Sequence, residues 1–520
     1  MRSKNSLVNI VFGIGGKFLT IFTQFFVRTI FIHYLGSEYL GVNGLFTNIL
    51  SILSLAELGI GNAIIFSLYK PLAQKDNKKV KALMGLYEKS YRIIAIIVLT
   101  LGLLLVPFLK YIIKNPPNIN ENLILIYVLF LLNSVISYLF AYKRSLIIAD
   151  QKEYIVTIIT NIFNLLSSIL QIIMLIVTKS FINYLIVQIV STIITNIYIS
   201  SKADKIYPML KNKDRECLDK EEMYNIFKNV KALIIYKVGT LLTVGLDNIV
   251  ISTFVGVITV GIYSNYTMIV NSINSILNQV FNALTASVGN LNAGDDVEKK
   301  EFMYHILLFT AFWLYGFCTI CLYVLINPFI EIWAGSDYLL GTATTLAIVL
   351  NFYFLGMNNP TMIFRNTLGL YIQGKYRPII GAIINIIISL LFVNRYGILG
   401  VVLGTLVSRI LVLSWYEPRI IYKNTFNKSA SVYLYRYIIY TITVLIVGLI
   451  SNILLSNLTI RLGLMGLNAF ITKLIGCIFI TNIIFYVLYW RTREFKYLKM
   501  QATNLKNKLI KSKKIKEMTI

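Results

Sequence analysis

Long apolar runs, each broken off by a few polar residues, recur along the whole sequence. They lie at roughly 7–33, 40–68, 92–113, 123–142, 155–178, 182–200, 232–253, 261–289, 303–326, 341–363, 378–394, 397–416, 437–456 and 466–490. About 18 apolar residues in a helix suffice to cross a bilayer. The pattern therefore predicts an all-α polytopic membrane protein with about 14 transmembrane helices.

Composition agrees. Of 520 residues, 57% are apolar and only 14% charged, with a mean hydropathy of +0.71. Soluble domains carry about 25% charge and split, at this length, into units joined by polar linkers.

The net charge of +26 raises the question of nucleic acid, and its distribution answers against it. With the N-terminus inside, most of the 49 Lys and Arg fall in loops on that same side; Lys110, Lys114, Lys179, Arg395 and Arg461 fall on the other. This is the positive-inside asymmetry, which predicts a multi-pass protein of the cytoplasmic membrane with both termini cytoplasmic. The basic tail "KNKLIKSKKIK" is then a segment that meets anionic membrane lipids, not DNA. "MRSKN" opens a first transmembrane helix, because the apolar run after it is too long for a signal peptide and lacks a small-residue cleavage site. The four cysteines are too few and scattered for a disulfide framework. Cys318 and Cys321 sit in an apolar helix without a second pair and are expected simply to pack. His33 and His305 are far apart in sequence and form no ligand cluster.

Shifted by 220 residues, the sequence matches itself. "YLGSEYLGVNGLFTNILSI" meets "FVGVITVGIYSNYTMIVNS" without a gap, with identities that include Lys17/Lys237, Gly36/Gly256, Gly41/Gly261, Thr47/Thr267, Asn62/Asn282 and Asp76/Asp296. Further on, "PFLKYI" at 107 meets "PFIEIW" at 328. An even number of spans separates the copies, so both halves run through the membrane in one sense. Parallel repeats of this kind belong to transporters, with the substrate site near the midplane where the halves meet. The expected organisation is a first bundle, 1–200; a cytoplasmic linker, 201–231; a second bundle, 232–416; two extra helices within 417–490 outside the repeat; and a basic tail, 491–520.

Polar residues inside apolar helices mark faces that see water or each other. Lys17, Gln24 and Arg28 share one face of the first helix at about 100° per residue. Its repeat mate carries Lys237, Thr240, Asp247 and Asn248. Lys17 lies too deep to snorkel comfortably, so Lys17 and Lys237 are expected to line a cleft from opposite walls, with Arg28 nearer its outer end. In "YSNYTMIVNSINSILNQVFNALTAS", Thr267, Asn271, Asn274, Asn278 and Asn282 form one amide stripe. Asn offers both a donor and an acceptor, which suits hydroxyl-rich ligands; such residues also hold membrane helices together. Glu57, in "LSLAELGIGNAIIF", costs several kcal/mol at mid-bilayer depth unless it is wetted or paired, and should look into the same cleft. Gly400 and Gly404 give a small-residue packing face.

"GGKF" and "GKYR" lack the Ser/Thr and leading glycine of a phosphate-cradling loop, and neither H-E-x-x-H nor G-x-S-x-G occurs. "GDD" at 294–296 stands without partners for a metal. No enzyme, no cofactor and no metal is expected.

"RTIFIHYLGSEYLGVNGLFTNILSILSLAELGIGNAIIFSLYK" resembles the opening of the polysaccharide transporter family, the Wzx-type flippases of the multidrug/oligosaccharidyl-lipid/polysaccharide exporter superfamily. "NPFIEIWAGSDYLLGTATTLAIVLNFY" and "QGKYRPIIGAIINIIISLLFVNRYGILGVVLGTLVSRIL" are similar to later segments of that family, so the resemblance covers nearly the whole chain. It implies two pseudo-symmetric six-helix bundles around a central cleft that opens alternately to each side, plus two C-terminal helices. It further implies movement of undecaprenyl-diphosphate-linked oligosaccharide across the bacterial cytoplasmic membrane for capsule, exopolysaccharide or O-antigen synthesis, beside a polymerase and glycosyltransferases. The diphosphate would meet Lys17, Arg28 or Lys237, and the sugars Gln24 and the stripe Asn271, Asn274, Asn278 and Asn282. Glu57 and Asp247 are the candidates for coupling to H+ or Na+. The alternatives are an ion-coupled multidrug exporter of the same fold and a flippase for a lipid-linked peptidoglycan precursor.

Overall fold

The structure is a computed structural model that describes residues 2–54, 60–113, 116–139, 141–211, 223, 246–292, 294, 296–370, 373–374 and 376–504. Among these the chain is helical, with no strand. It is the expected all-α polytopic membrane protein. Nine described helices are long and apolar enough to cross a membrane, or ten if the bent pair Leu123–Leu139 and Tyr142–Ala149 is one span.

The difference from 14 has physical causes in three places, and a further expected segment lies partly outside the described residues. The first two expected segments meet in one stretch, Arg2–Leu53, which leaves helical geometry at Gly36. The expected segment 341–363 is broken into Thr342–Gly356 and Asn359–Leu368, with Pro360 in the first turn of the second piece. The expected segment 232–253 is described only from residue 246. Val257–Asn292 is long enough to span, but its amides make it too polar to pass as a purely apolar crossing.

Contacts divide the chain into two compact units. The first holds Met1–Met268 and Pro378–Val407; the second holds Ile269–Arg377 and Ser408–Ile520. The sequence repeat cuts the chain differently, since it places 378–407 with the second bundle.

In the first unit, Arg2–Leu53 packs along Glu153–Thr178, which packs on Phe181–Ile206; Asn77–Leu105 packs on Leu123–Leu139. The repeat reappears here as geometry. Gly36 and its counterpart Gly256 both have positive φ, 80° and 135°, a region open to glycine at little cost. Five residues on, Gly41 and Gly261 cross at backbone contact. An ideal Cβ on Gly41 would lie 2.1 Å from the Val257 carbonyl oxygen, and one on Gly261 would lie 2.6 Å from that of Ser37. Ser37 and Val257 are themselves repeat partners, so the contact is reciprocal. Gly400 and Gly404 pack as expected: a Cβ on Gly404 would meet Ser389 Oγ at 2.1 Å, and one on Gly400 the Phe392 carbonyl at 2.5 Å.

The second unit is built around Val297–Ala334, which packs against Thr342–Gly356, Asn359–Leu368, Ser431–Arg461 and Gly466–Tyr489. Phe312 fastens the two extra C-terminal helices, with ring centroids 4.4 Å from Tyr440, 4.8 Å from Phe485 and 5.0 Å from Tyr489. Trp313 Nε1 donates to Asn482 Oδ1 at 3.1 Å. Both helices that follow the repeated "D" begin alike. Asp76 accepts from the Lys79 amide and Asp296 from the Lys299 amide, each at 3.0 Å. Each satisfies one of the four amides that every helix start leaves open. The Asp of "GDD" is thus a helix cap. Cys318, Cys321 and Cys477 are free thiols, and no cluster of metal-binding side chains occurs among the described residues.

Candidate functional site

The first helix of the chain has three distinct faces. Gly16 and buried Val27 turn towards packing; a Cβ on Gly16 would lie 2.1 Å from Asn161 Nδ2 of Glu153–Thr178. Phe18, Phe22 and Phe26 form an exposed apolar face, 54%, 63% and 52% accessible. Lys17 and Gln24 are also exposed and Arg28 is half-buried, yet at about 100° per residue they occupy a third face, turned well away from the phenylalanines. An exposed face that is aromatic suits acyl chains; one made of Lys, Gln and Arg needs water or an anion. Sequence periodicity found this polar face. Its mate Lys237, and Glu57, lie outside the described residues.

Arg28 is held where periodicity gave no hint. Its Nε donates to Asn265 Oδ1 at 3.0 Å, and its Nη2 donates to Ser264 Oγ. Asn265 is fully buried. A buried amide oxygen needs a donor, and the guanidinium supplies one across the helices. "YSN" at 263–265 is the only trace of this in the sequence.

The amide stripe divides. Asn271 and Asn282 are exposed, whereas Asn274 and Asn278 are half-buried. The Tyr315 hydroxyl, 3.0 Å from both Asn274 Oδ1 and Asn278 Oδ1, donates to this pair and accepts from Asn359 Nδ2 at 2.8 Å. Two of the four amides therefore tie helices together while two are exposed. Tyr315→Phe should destabilise this unit by about 0.5–1.5 kcal/mol, the net worth of a hydrogen bond between partly buried groups. The readout is the melting temperature in detergent; an unchanged value would mean that the amides find other partners.

Asp247 is buried, 8% exposed. Asn385 Nδ2 donates to its Oδ1 at 3.1 Å, and Thr405 Oγ1 donates to its Oδ2 at 2.7 Å. Ser389 Oγ lies 3.0 Å from Asn385 Oδ1 and 3.3 Å from the Val401 carbonyl oxygen. The helical stretch 246–254, Arg377–Tyr396 and Ile398–Ser408 thus bring together a carboxylate, an amide oxygen, two hydroxyls and a backbone carbonyl. The groups that face the carboxylate are the Asn385 amide N–H and the Thr405 hydroxyl, and a proton or a small monovalent cation can neutralise a carboxylate buried inside a span. The close approach at Gly404 lets the two helices converge on it. Asp247 was legible as an ionisable residue inside a span. Asn385, Ser389 and Thr405 were not, because each is unremarkable on its own helix.

No protein-family model matches the sequence, and no curated protein matches it. Solved structures do. A multidrug resistance MATE family transporter of the MOP superfamily, in an inward-facing conformation, is similar over 77% of this chain and 94% of its own, at 16% identity and a TM-score of 0.61. The lipid II flippase MurJ, in an inward closed conformation, is similar over 92% of this chain and 99% of its own, at 16% identity and a TM-score of 0.62. The Vibrio cholerae MATE transporter VcmN covers 82% of this chain and 100% of its own, at 13% identity and a TM-score of 0.56. The chain has the fold of these membrane transporters.

Proposed function

We propose that the protein is a flippase that moves an undecaprenyl-diphosphate-linked oligosaccharide across the bacterial cytoplasmic membrane by alternating access, for surface polysaccharide synthesis. The observation that carries this reading is the Lys17, Gln24 and Arg28 face, set apart from the lipid-suited phenylalanine face of the same helix. It pairs basic groups for a diphosphate with an amide for sugars, and Asn271 and Asn282 are further candidates for the sugars from sequence alone. The C55 tail of such a cargo stays in lipid, so only its head group needs this polar surface. The likeness to MurJ supports a lipid-linked cargo. Asp247, with Asn385, Ser389 and Thr405, is the site proposed to bind the coupling H+ or Na+. Glu57 is a second candidate from sequence alone. A polymerase and glycosyltransferases are the expected partners, and both termini are expected in the cytoplasm.

Lys17→Ala, Arg28→Ala and Lys237→Ala should each abolish complementation of a flippase-deficient strain without lowering protein level. Full activity in all three would end the diphosphate reading. A second reading, a multidrug exporter, is supported by the likeness to MATE transporters. Its cargo is usually cationic, which the basic face disfavours. Proteoliposomes offered fluorescent lipid-linked oligosaccharide or a cationic dye separate the two: flipping of the first without transport of the second supports the flippase.

A further inference from the structure

We infer that the second unit holds a pocket for the head group of a zwitterionic phospholipid, one that carries a phosphate and a primary ammonium. None of its residues belongs to the first unit, and the inference stands whichever cargo the protein carries.

The pocket is a cavity of about 550 Å³ between the start of Val297–Ala334, the start of Ser431–Arg461 and a last helix over residues 493–504. Exposed aromatic residues stand close by along the chain, Tyr435, Tyr486 and Trp490, of the kind that collect where lipid head groups begin. Further along the same two C-terminal helices, Ile438, Ile442, Ile483 and Val487 are exposed, a surface for acyl chains. Phe302 and Val432 give the cavity an apolar wall, and Val432 is itself exposed. A charged head with an apolar stem fits this gradation.

The rest of the lining is polar, and its charges balance. Asp296 Oδ2 lies 2.7 Å from Lys299 Nζ, Glu301 Oε2 lies 2.6 Å from Lys428 Nζ, and Glu494 is paired with Arg436. Among the described residues this leaves one lining group of each sign outside an ion pair, Arg493 and Glu298. Both are exposed, and they come from different helices. His305 also lines the cavity and is only 7% exposed. Its Nε2 lies 3.2 Å from the Tyr422 hydroxyl, whereas its buried Nδ1 has no partner among the described residues. A buried polar atom in that state calls for one.

A purely anionic head group would satisfy Arg493 and His305 but set its charge against Glu298. One that carries both signs satisfies all three. The phosphate takes hydrogen bonds from the Arg493 guanidinium and from His305 Nδ1–H, which bears the ring proton while Tyr422 donates to Nε2. The ammonium meets Glu298. The acyl chains leave past Phe302 and Val432 to the apolar surface outside.

The test uses the full chain, delipidated in detergent, with the melting temperature as readout. Dioctanoyl phosphatidylethanolamine should raise it saturably. Half-saturation should come on the order of tenfold below that of dioctanoyl phosphatidylglycerol and of free phosphoethanolamine. Arg493→Ala and Glu298→Gln should each move half-saturation up on the order of tenfold, the loss of one hydrogen bond to a charged group. Both side chains are exposed, so the lipid-free melting temperature should stay nearly unchanged. Arg461→Ala, at the far end of Ser431–Arg461, should alter neither. Phosphatidylglycerol binding as tightly as phosphatidylethanolamine, or parental half-saturation in both variants, overturns the zwitterionic pocket. Free phosphoethanolamine binding as tightly as the lipid overturns the membrane source. No saturable rise with any of the three overturns the site. If one variant lowers lipid-free stability, the other variant and the three ligands on the parent chain decide.

Discussion

Glu417→Ala should cost the second unit about 3–5 kcal/mol, the effect of stranding buried charge. Glu417 is 1% exposed. Its Oε1 lies 2.6 Å from Arg365 Nη1 and its Oε2 2.9 Å from Arg377 Nη1, and both arginines are buried. One carboxylate thus serves two guanidiniums drawn from Asn359–Leu368 and the start of Arg377–Tyr396. Its removal leaves like charges facing each other in a site that water does not reach. At roughly 2–4 °C per kcal/mol for a unit of this size, the detergent melting temperature should fall by about 10 °C. Replacing all three with Leu should recover most of the loss, because well-packed apolar groups often match a buried ion cluster. A triple variant as unstable as Glu417→Ala would show that the charges themselves hold these segments in register.

Asp247→Asn should spare the fold and abolish coupling. The amide is nearly isosteric with the carboxylate, can still accept from Asn385, and can turn its amino group to the Thr405 hydroxyl, so protein level should stay unchanged. What is lost is the negative charge that a proton or cation would neutralise. Gradient-driven flipping in proteoliposomes should fall on the order of 5–150-fold, the span of a coupling free energy of about 1–3 kcal/mol. The dependence on sodium or on pH should disappear with it. A variant that flips at the parental rate and keeps its ion dependence would remove Asp247 from the coupling role. Thr405→Val tests the same site with the charge retained: a shift in ion affinity with flipping preserved at saturating ion is the expected result.

Much of this was written in the sequence because a bilayer leaves few choices. Backbone polar groups must be satisfied within each span, so apolar runs become helices, and the gapless match at an offset of 220 becomes matching geometry at Gly36 and Gly256. Periodicity also placed Lys17, Gln24 and Arg28 on one face, and the structure adds the separate face of Phe18, Phe22 and Phe26. It failed wherever function or stability needs residues from different helices. Tyr315 sits in an apolar run like many other tyrosines, and only the approach of two other helices places its hydroxyl between Asn274, Asn278 and Asn359. The same holds for Asn385 and Thr405 around Asp247. Arg365, Arg377 and Glu417 read as ordinary loop charges, since no local pattern signals that three segments will converge and exclude water. The amide stripe suits either a wet surface or helix joinery, and Asn274 and Asn278 serve as joinery.

The mutual seating of Gly41 on Val257 and of Gly261 on Ser37 is an isologous interface folded into one polypeptide, the arrangement that relates two copies by a dyad. It points to a half-length ancestor that associated as a symmetric pair with glycine on the axis, before fusion released each arm to drift. Arg28 and its counterpart Asn248 record that drift, since a symmetric pair would have had to carry the same residue twice.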